Sequence, residues 1–265
     1  MHCSFAARWP HQSMSAEKLR EYLSFYQDLG FTTLYRRTTS LEAQSEPAAP
    51  PAEVSAPLHM SEVPASFELP GLAPAGDSLA KIREDIGDCK RCRLHLGRHT
   101  IVFGSGNEAA KLVFVGEGPG ADEDAQGLPF VGRAGQLLTQ MIEGTAKREG
   151  IPLTRQDVYI CNVVKCRPPE NRTPEPDEME ICGQFLFRQL SAIQPKAICA
   201  LGATAARALL GRKEGVTRMR GNWFKWRDIP LMVTYHPSYL LRPYNQDAKR
   251  EAWDDLKKVL HFVYD

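Results

Sequence analysis

Four short apolar runs, rich in Val, Ile or Phe, constrain the fold of this 265-residue chain more than any other feature. They begin at Leu112 (LVFVGEG), Val158 (VYICNVV), Ala197 (AICALG) and Pro230 (PLMVTYH). Their apolar stretches are nearly continuous, a pattern typical of strands that are covered on both faces. Each run therefore predicts one strand of a buried, parallel sheet.

Helical patterns alternate with these runs. Apolar residues recur at helical spacing over residues 135–148, 177–193, 204–210 and 246–263. Strands that alternate with helices build a sheet with helices on both faces. We therefore predict an α/β fold: a three-layer α/β/α sandwich with a central, mostly parallel four-stranded sheet, formed by residues 77–265.

The segment before this domain has a different composition. Residues 41–80 contain no Lys or Arg, six acidic residues and seven of the 19 prolines. Such a stretch buries too little apolar surface to offset its ordering entropy, so residues 41–76 are predicted to be a disordered, acidic Pro/Ala-rich linker. Without residues 1–80 the chain has 28 basic and 23 acidic side chains, so the net charge of +1 conceals a basic domain.

Residues 1–40 form an N-terminal extension in which one amphipathic helix is predicted. Ser15 is its expected N-cap and Gly30 its end, and Met14 directly before it is a candidate for the true start of translation. The apolar stripe of this helix could pack on the domain or on a protein partner. The sequence has no membrane-spanning run and no signal-peptide pattern, so a cytoplasmic location is expected.

Polar and glycine-rich residues follow three of the predicted strands. The first strand runs into Gly116-Glu117-Gly118-Pro119-Gly120, the second ends at Asn162, and the fourth leads to His236. Ligands of open α/β sheets bind at the carboxyl ends of the strands. The glycine turn has neither the dinucleotide-binding spacing nor the Lys-Ser/Thr of a phosphate-binding loop. These three strand ends therefore predict a site of another kind.

Taken together, GEGPGADEDAQGLPFVGRAG, the strand-end Asn162 and HPSYLLR resemble the active-site motifs of the family 4, or iron–sulfur, uracil-DNA glycosylases. The resemblance covers about residues 77–265, and the motifs occur in the family's order. It implies a monofunctional DNA-repair enzyme of base excision repair that flips uracil out of the duplex, hydrolyses its N-glycosidic bond and leaves an abasic site.

The resemblance also implies roles for individual residues. His236 matches the histidine that hydrogen-bonds the uracil O2 as negative charge develops there. Asn162 offers a donor and an acceptor to O4 and N3–H of uracil, and Phe130 would stack on the flipped base. Packing under the loop remains the alternative for Phe130.

The catalytic carboxylate is less clearly marked. Glu117 belongs to the motif that positions the water or reads the base, and Glu123 is the next candidate for orienting the nucleophile. Gly118 and Gly120 stand where the family 1 enzymes have Asp and Tyr. Gly118 is therefore assigned to the substrate-binding loop, and thymine must be excluded by another part of the pocket.

The HPS turn and nearby basic residues are assigned to DNA contacts. Ser238 would bind a phosphate, Leu240 would act as the wedge that fills the gap left by the flipped nucleotide, and Arg242 would hold the adjacent backbone. Further basic residues in or near the same loops favour a salt-sensitive DNA interface: Arg133, Lys165, Arg167, Arg172, Arg218 and Arg220.

Six of the seven cysteines are divided between two predicted roles, and Cys3, in the N-terminal extension, is assigned none. Cys161 and Cys199 lie in strands and are expected in the core. The pair Cys89 and Cys92, with its C-x2-C spacing, is by itself ambiguous between metal binding and redox chemistry. With Cys166 and Cys182 it matches the [4Fe–4S] ligands of the resembled family, which favours a structural cluster over zinc.

Two other functions remain open from the sequence. One is a catalytically altered relative that binds uracil-containing DNA, and the other is an iron–sulfur scaffold that docks on a replication or repair partner. The scaffold alternative leaves Asn162, Phe130 and His236 unexplained. The chain is expected to act as a monomer on uracil-containing DNA.

Overall fold

The computed structural model describes Arg20, residues 76–242 and residues 244–265. The predicted N-terminal helix, except for Arg20, and the predicted linker up to residue 75 lie outside the described residues. The assignment of residues 1–40, 41–76 and 77–265 to three regions thus remains a prediction.

The domain is an α/β/α sandwich, as predicted. Its elements, in chain order, are α1 (Leu79–Ile86), β1 (Ser105–Gly106), β2 (Leu112–Gly116), α2 (Ala121–Gln126), α3 (Arg133–Arg148), β3 (Tyr159–Asn162), α4 (Pro176–Ile193), β4 (Ala197–Leu201), α5 (Ala203–Leu210), α6 (Val216–Met219), β5 (Trp223–Trp226), β6 (Ile229–Thr234), α7 (Pro237–Leu240) and α8 (Gln246–Tyr264).

The central sheet has six strands in the described residues, not the four that were predicted. Its order is β1-β3-β2-β4-β6-β5. The four predicted strands form its parallel centre. The added strands β1 and β5 pair antiparallel at the two edges. They were missed because β1 has only two residues and β5 (WFKW) is largely exposed, so neither produces a buried apolar run.

Each face of the sheet is covered by its own apolar cluster. Along β2, Leu112 and Phe114 face the cluster that α3 and α8 cover, whereas Val113 and Val115 face the cluster that α1, α4 and α5 cover. This alternation of side chains is the period of two that a strand imposes. Cys161 and Cys199 are fully buried in these clusters, which confirms their predicted core role.

The parallel centre places the carboxyl ends of its four strands on one edge of the sheet. The register pairs Gly116 of β2 with Asn162 of β3, and Leu201 of β4 with Thr234 of β6. The glycine turn, the strand-end Asn162 and the turn that begins at His236 consequently leave the sheet side by side.

Among the described residues, every helix is too short or too polar to span a membrane.

Candidate active site

A pocket of about 250 Å³ lies at this edge of the sheet. Its volume is near the lower end of the roughly 300–1,000 Å³ range of ligand pockets, which suits one small ring. Ala134, Pro168 and Asn171, which were not predicted, contribute to its wall. Eight of the predicted residues line it: Glu117, Gly118, Glu123, Phe130, Asn162, Arg172, His236 and Ser238.

Gly116 allows two of these side chains to approach the end of β2. A Cβ atom at Gly116 would lie 2.5 Å from Cζ of Phe130 and would also collide with Oδ1 of Asn162. No larger residue fits there without displacing one of them. Gly116 therefore lets an aromatic ring and an amide lie together at the pocket wall.

Asn162 presents an unpartnered acceptor to the pocket. Its residue is 1% exposed, and its Oδ1 atom has no hydrogen-bond partner in the described structure. A buried carbonyl oxygen without a partner costs about 1–3 kcal/mol. Such an atom beside a cavity is suited to an N–H donor of a ligand.

Phe130 is held in an unusual backbone conformation. Its φ is 53°, in the left-handed region, and a Cβ atom at Gly135 would collide with its backbone carbonyl group. The ring is 5.6 Å from the His236 ring, centroid to centroid, and tilted by 38°. The first turn of α3 thus fixes an aromatic ring in the pocket wall.

His236 is a neutral hydrogen-bond donor in this environment. Its Nδ1 atom accepts the backbone N–H of Ser238 at 3.2 Å and lies 2.7 Å from the Ser238 Oγ atom. The proton of a neutral imidazole must then be on Nε2. Burial lowers the pKa of His236 to about 4, although the charge of Glu123 acts in the opposite direction. A neutral imidazole with a fixed tautomer results.

Glu117 is bonded by a residue that was not predicted. The hydroxyl of Thr204, in the first turn of α5, donates to the Glu117 Oε2 atom. No other hydrogen bond to this carboxylate is found in the described residues. Thr204 lies three residues after the end of β4, at the same sheet edge as the other strand ends, and this position was the signal that could have identified it.

Glu123 has a structural set of contacts. Its Oε1 atom accepts the backbone N–H groups of Val131 and Gly132, both at 2.9 Å, and its Oε2 atom accepts that of Gly120 at 3.0 Å. The carboxylate therefore joins the turn before α2 to the turn before α3. This occupancy argues against its predicted role in orienting a water.

The turn after β6 differs from prediction at one position. Ser238 and Arg242 are exposed, and the Arg242 guanidinium lies 5.8 Å from the centroid of the exposed Tyr239 ring. Leu240, by contrast, is 1% exposed and packs in the core cluster with α3 and α8. A wedge must reach the DNA stack, so the wedge role predicted for Leu240 does not fit its position.

Three of the predicted DNA-binding cations are already engaged. Arg172 forms a two-pronged ion pair with the buried Glu178, at 2.7 and 2.8 Å. Arg220 bonds the buried Asp255 through its Nε atom at 2.9 Å. Lys165 is fully buried. The remaining cations of the predicted set are at least partly exposed: Arg133, Arg167, Arg218 and Arg242.

The four predicted ligand cysteines belong to one apolar cluster: Cys166 and the α4 residue Cys182 are buried in it, and Cys89 and Cys92 pack against it. Burial raises the pKa of Cys182 to about 12 and also raises the pKa values of Cys92 and Cys166, with smaller contributions from neighbouring thiols. Reactive thiols have lowered values, so this pattern is unlike a redox-active C-x2-C site. Over residues 76–242 and 244–265, no three His, Cys, Asp or Glu side chains are arranged to hold a metal ion.

Two N–H donors approach the sulfur atoms. Arg98 Nη1 lies 3.4 Å from Sγ of Cys166, and it also donates to the backbone oxygen of Cys89. The backbone N–H of Lys165 donates to Sγ of Cys182 at 3.2 Å. Such donors favour the thiolate form, which is the form that binds metals.

The fold and the pocket together define a class of protein: an α/β/α domain that can enclose a planar ring, donate a hydrogen bond from a neutral imidazole and accept one at a buried amide. Comparison with known proteins identifies this class. Residues 103–257 match the model of the uracil DNA glycosylase superfamily. That match covers more than half of the chain.

Three curated relatives narrow the assignment, and each is named a type-4 uracil-DNA glycosylase. The protein from Thermotoga maritima is 47% identical over 69% of this chain and 93% of its own. Those from Archaeoglobus fulgidus and Sulfurisphaera tokodaii are each 42% identical over 69% of this chain, and over 92% and 84% of their own. The chain belongs to the uracil DNA glycosylase superfamily and, within it, to the type-4 family.

Proposed function

We propose that this protein hydrolyses the N-glycosidic bond of uracil in DNA and leaves an abasic site. The observation that carries the proposal is that one small pocket contains both the Asn162 Oδ1 atom, which has no hydrogen-bond partner among the described residues, and the neutral His236 ring. The type-4 relatives support uracil as the substrate. Since these relatives are named as glycosylases, neither a silent DNA binder nor an iron–sulfur scaffold is favoured.

Base recognition is assigned to Asn162 and Phe130. The Oδ1 atom of Asn162 would accept N3–H of uracil, while its amide N–H would donate to O4. Cytosine has a donor at C4 and an acceptor at N3. Its amino group would face the Asn162 amide N–H and its N3 would face Oδ1, so the buried groups would stay unpaired. Phe130, packed against Gly116 beside this amide, would stack on the flipped ring.

Bond cleavage is assigned to His236 and Glu117. As the bond from N1 of uracil to C1′ of the sugar breaks, its electron pair moves into the base, and the Nε2–H of His236 would stabilise the charge on O2. Glu117, bonded by Thr204 alone among the described residues, would orient the water whose oxygen joins C1′. The proton that this water loses would pass to the uracil anion, so that neutral uracil leaves. Glu123 is proposed as a residue that positions the two turns, not the water.

DNA binding is assigned to the exposed groups around the pocket. The groups proposed to contact phosphates are Ser238 of the HPS turn, Arg242 after α7, Arg133 at the start of α3 and Arg167 in the loop after β3. Leu240 is not included, because it is buried in the core. Gly118 is proposed to contribute its backbone to the pocket wall, where a Cβ atom would lie 2.8 Å from Cγ2 of Val164.

We further propose that Cys89, Cys92, Cys166 and Cys182 hold a [4Fe–4S] cluster. Four thiolates are the usual ligand set of this cluster, and N–H donors to the sulfurs are among the groups that tune it. A metal would offset the raised thiol pKa values, because a coordinated thiol loses its proton. When bound, the cluster would supply a covalent tie between the segment before β1 and the loop after β3, with no part in hydrolysis.

A uracil-containing oligonucleotide tests the glycosylase proposal. The purified protein is expected to release free uracil and to leave a site that alkali cleaves. His236→Ala should reduce the rate on the order of 100-fold, since it removes one charge-stabilising donor. His261→Ala, a change at the far ends of α3 and α8, is the matched control. Intact wild-type protein that releases no uracil would refute the proposal.

Iron and sulfide analysis tests the cluster. Four iron atoms per chain and visible absorption are expected, with loss of both in Cys182→Ser. Cys199→Ser, which changes a core thiol, is the control. Stoichiometric zinc without colour would contradict the cluster assignment.

A further inference from the structure

Lys165 occupies a position that its sequence context did not predict. It was expected at the DNA face, but the structure buries it completely. Its Nζ atom donates to the backbone oxygen of Asn162 at 2.8 Å and to Oε1 of Gln189 at 2.6 Å. A buried amine is costly unless its hydrogen bonds are made, so these two contacts determine where the lysine can stand.

The contact with Asn162 completes the support of one peptide group. Asn162 is the last residue of β3, and the N–H of the next residue, Val163, donates to the Gly116 oxygen at 3.0 Å. The oxygen of Asn162 and the N–H of Val163 belong to the same planar unit. Gly116 therefore holds one edge of the plane, and Lys165 holds the opposite edge.

Fixing this plane fixes the direction of the Asn162 side chain. The plane sets ψ of Asn162, and the Cα–Cβ bond follows from the backbone. The side chain is then confined against Gly116, where a Cβ atom would collide with its Oδ1. Without the lysine, the plane would be held on one edge only, at the point where the chain leaves the sheet.

Gln189 fixes the lysine in turn. Its Nε2 atom donates to the Phe103 oxygen at 3.0 Å and lies 3.3 Å from the Tyr159 hydroxyl. The amine is thus tied through one buried amide to α4, to β3 and to the segment before β1. A buried hydrogen-bonded network of this kind favours a single arrangement of its members.

We propose that Lys165 is a positioning residue that aims the Asn162 amide at the base. The inference rests on the proposed uracil excision and deepens it by naming the group that maintains the base-reading geometry. The backbone N–H of Lys165 also bonds Cys182. Lys165 therefore connects Asn162, in the pocket wall, to Cys182, one of the four proposed cluster ligands.

The test compares Lys165→Met with wild-type protein, using free uracil as a competitive inhibitor of oligonucleotide cleavage. The inhibition constant of uracil and KM should each rise about tenfold, and kcat should change less, because the base is recognised before as well as during cleavage. Iron content should remain that of the wild type. The matched control is Lys196→Met, whose amine bonds the Val263 oxygen at 3.2 Å away from the pocket residues.

A double-mutant cycle separates positioning from general destabilisation. In an Asn162→Ala background, Lys165→Met should change kcat/KM less than about twofold, since the side chain it aims is absent. Equal losses in both backgrounds, or a lower melting temperature with an unchanged uracil inhibition constant, would overturn the inference.

If Lys165→Met does not fold, Gln189→Met tests the same network by removing the anchor of the amine. It should weaken uracil inhibition in the same direction, and no change there would also overturn the inference. Wild-type protein that releases no uracil would instead count against the proposed function. An active wild type with unaltered Lys165→Met kinetics would count against the positioning role alone.

Discussion

At the residue scale, the protonation state of His236 sets the expected pH dependence. Its pKa of about 4 lies below the ordinary value of 6.5, because burial disfavours the charged ring. The neutral form therefore persists as the pH falls through 6.5. Protonation at Nδ1 would also remove the acceptor of the Ser238 N–H.

We accordingly predict that kcat/KM stays nearly constant from about pH 8 to pH 5 and falls only towards pH 4. Single-turnover rates on a uracil oligonucleotide across this range are the measurement. A decline centred near the ordinary histidine value would contradict the assigned environment.

The two carboxylates of the pocket should respond differently to isosteric substitution. Glu123→Gln should destabilise the protein by roughly 2 kcal/mol, because a charged acceptor of three backbone N–H groups becomes an amide. Glu117→Gln should leave stability nearly unchanged and lower kcat on the order of 100-fold. Urea unfolding and single-turnover kinetics measure the two effects. If Glu117→Gln lowered stability and Glu123→Gln lowered kcat instead, the structural role would belong to Glu117 and the catalytic role to Glu123.

What the sequence could predict at this scale depends on how local each signal is. The strand ends brought Asn162 and His236 to one pocket as expected, since parallel strands share an edge. The predicted surface positions of Lys165 and Leu240 were wrong, because their burial depends on contacts with other elements: α4 covers the lysine, and α3 and α8 cover the leucine. No spacing rule encodes such contacts.

At the scale of elements, a partly buried ionic cluster joins the ends of α3 and α8. Glu149, the residue after α3, accepts from His261 Nε2 and from Lys257 Nζ, both at 2.8 Å. His261 Nδ1 also lies 2.7 Å from Asp265. Glu149 and Asp265 raise the pKa of His261 above its ordinary value of 6.5.

A raised folded-state pKa means that the native state binds the proton more tightly than the unfolded chain does. The stabilisation is therefore complete below pH 6.5 and disappears as the pH rises through the folded-state pKa. His261→Gln should lower the melting temperature more at about pH 5.5 than at about pH 9. Thermal unfolding at both pH values measures this, and a pH-independent difference would be inconsistent with it.

The elements themselves were predicted well where their signal was strong. The four buried runs became β2, β3, β4 and β6, and the four long helical patterns became α3, α4, α5 and α8 within a few residues. The missed strands β1 and β5 lie at the sheet edges, where each pairs with one neighbour. Apolar periodicity can be read from a sequence, whereas the pairing of an edge strand with its neighbour leaves no such pattern.

At the scale of the whole molecule, charge is unevenly distributed along the chain. Residues 1–80 have five basic and nine acidic side chains, against 28 and 23 in the remainder. An acidic segment tethered to a basic domain competes with DNA for it, and salt screens this competition over about 10 Å at 0.1 M.

We therefore predict that a chain lacking residues 1–75 binds a uracil-free duplex more tightly than the full chain at low salt, with the difference vanishing at high salt. Fluorescence anisotropy at two salt concentrations measures it. A full-length variant with the five glutamates of residues 41–76 changed to Gln controls for length. Equal affinities of all three proteins at low salt would show that the acidic segment does not compete.

The spacing within the five residues from Asn162 to Cys166 limits which insertions and deletions the gene can accept. These residues contain the base-reading amide, the lysine that supports it and a proposed cluster ligand, each at a fixed offset from the next. Point substitutions between them, at Val163 or Val164, alter packing and can be compensated by neighbours. An insertion or deletion within the stretch would change the offsets that relate the amide, the amine and the thiol. We expect the length of this stretch to stay the same in every active descendant, even where the residues between the three groups change.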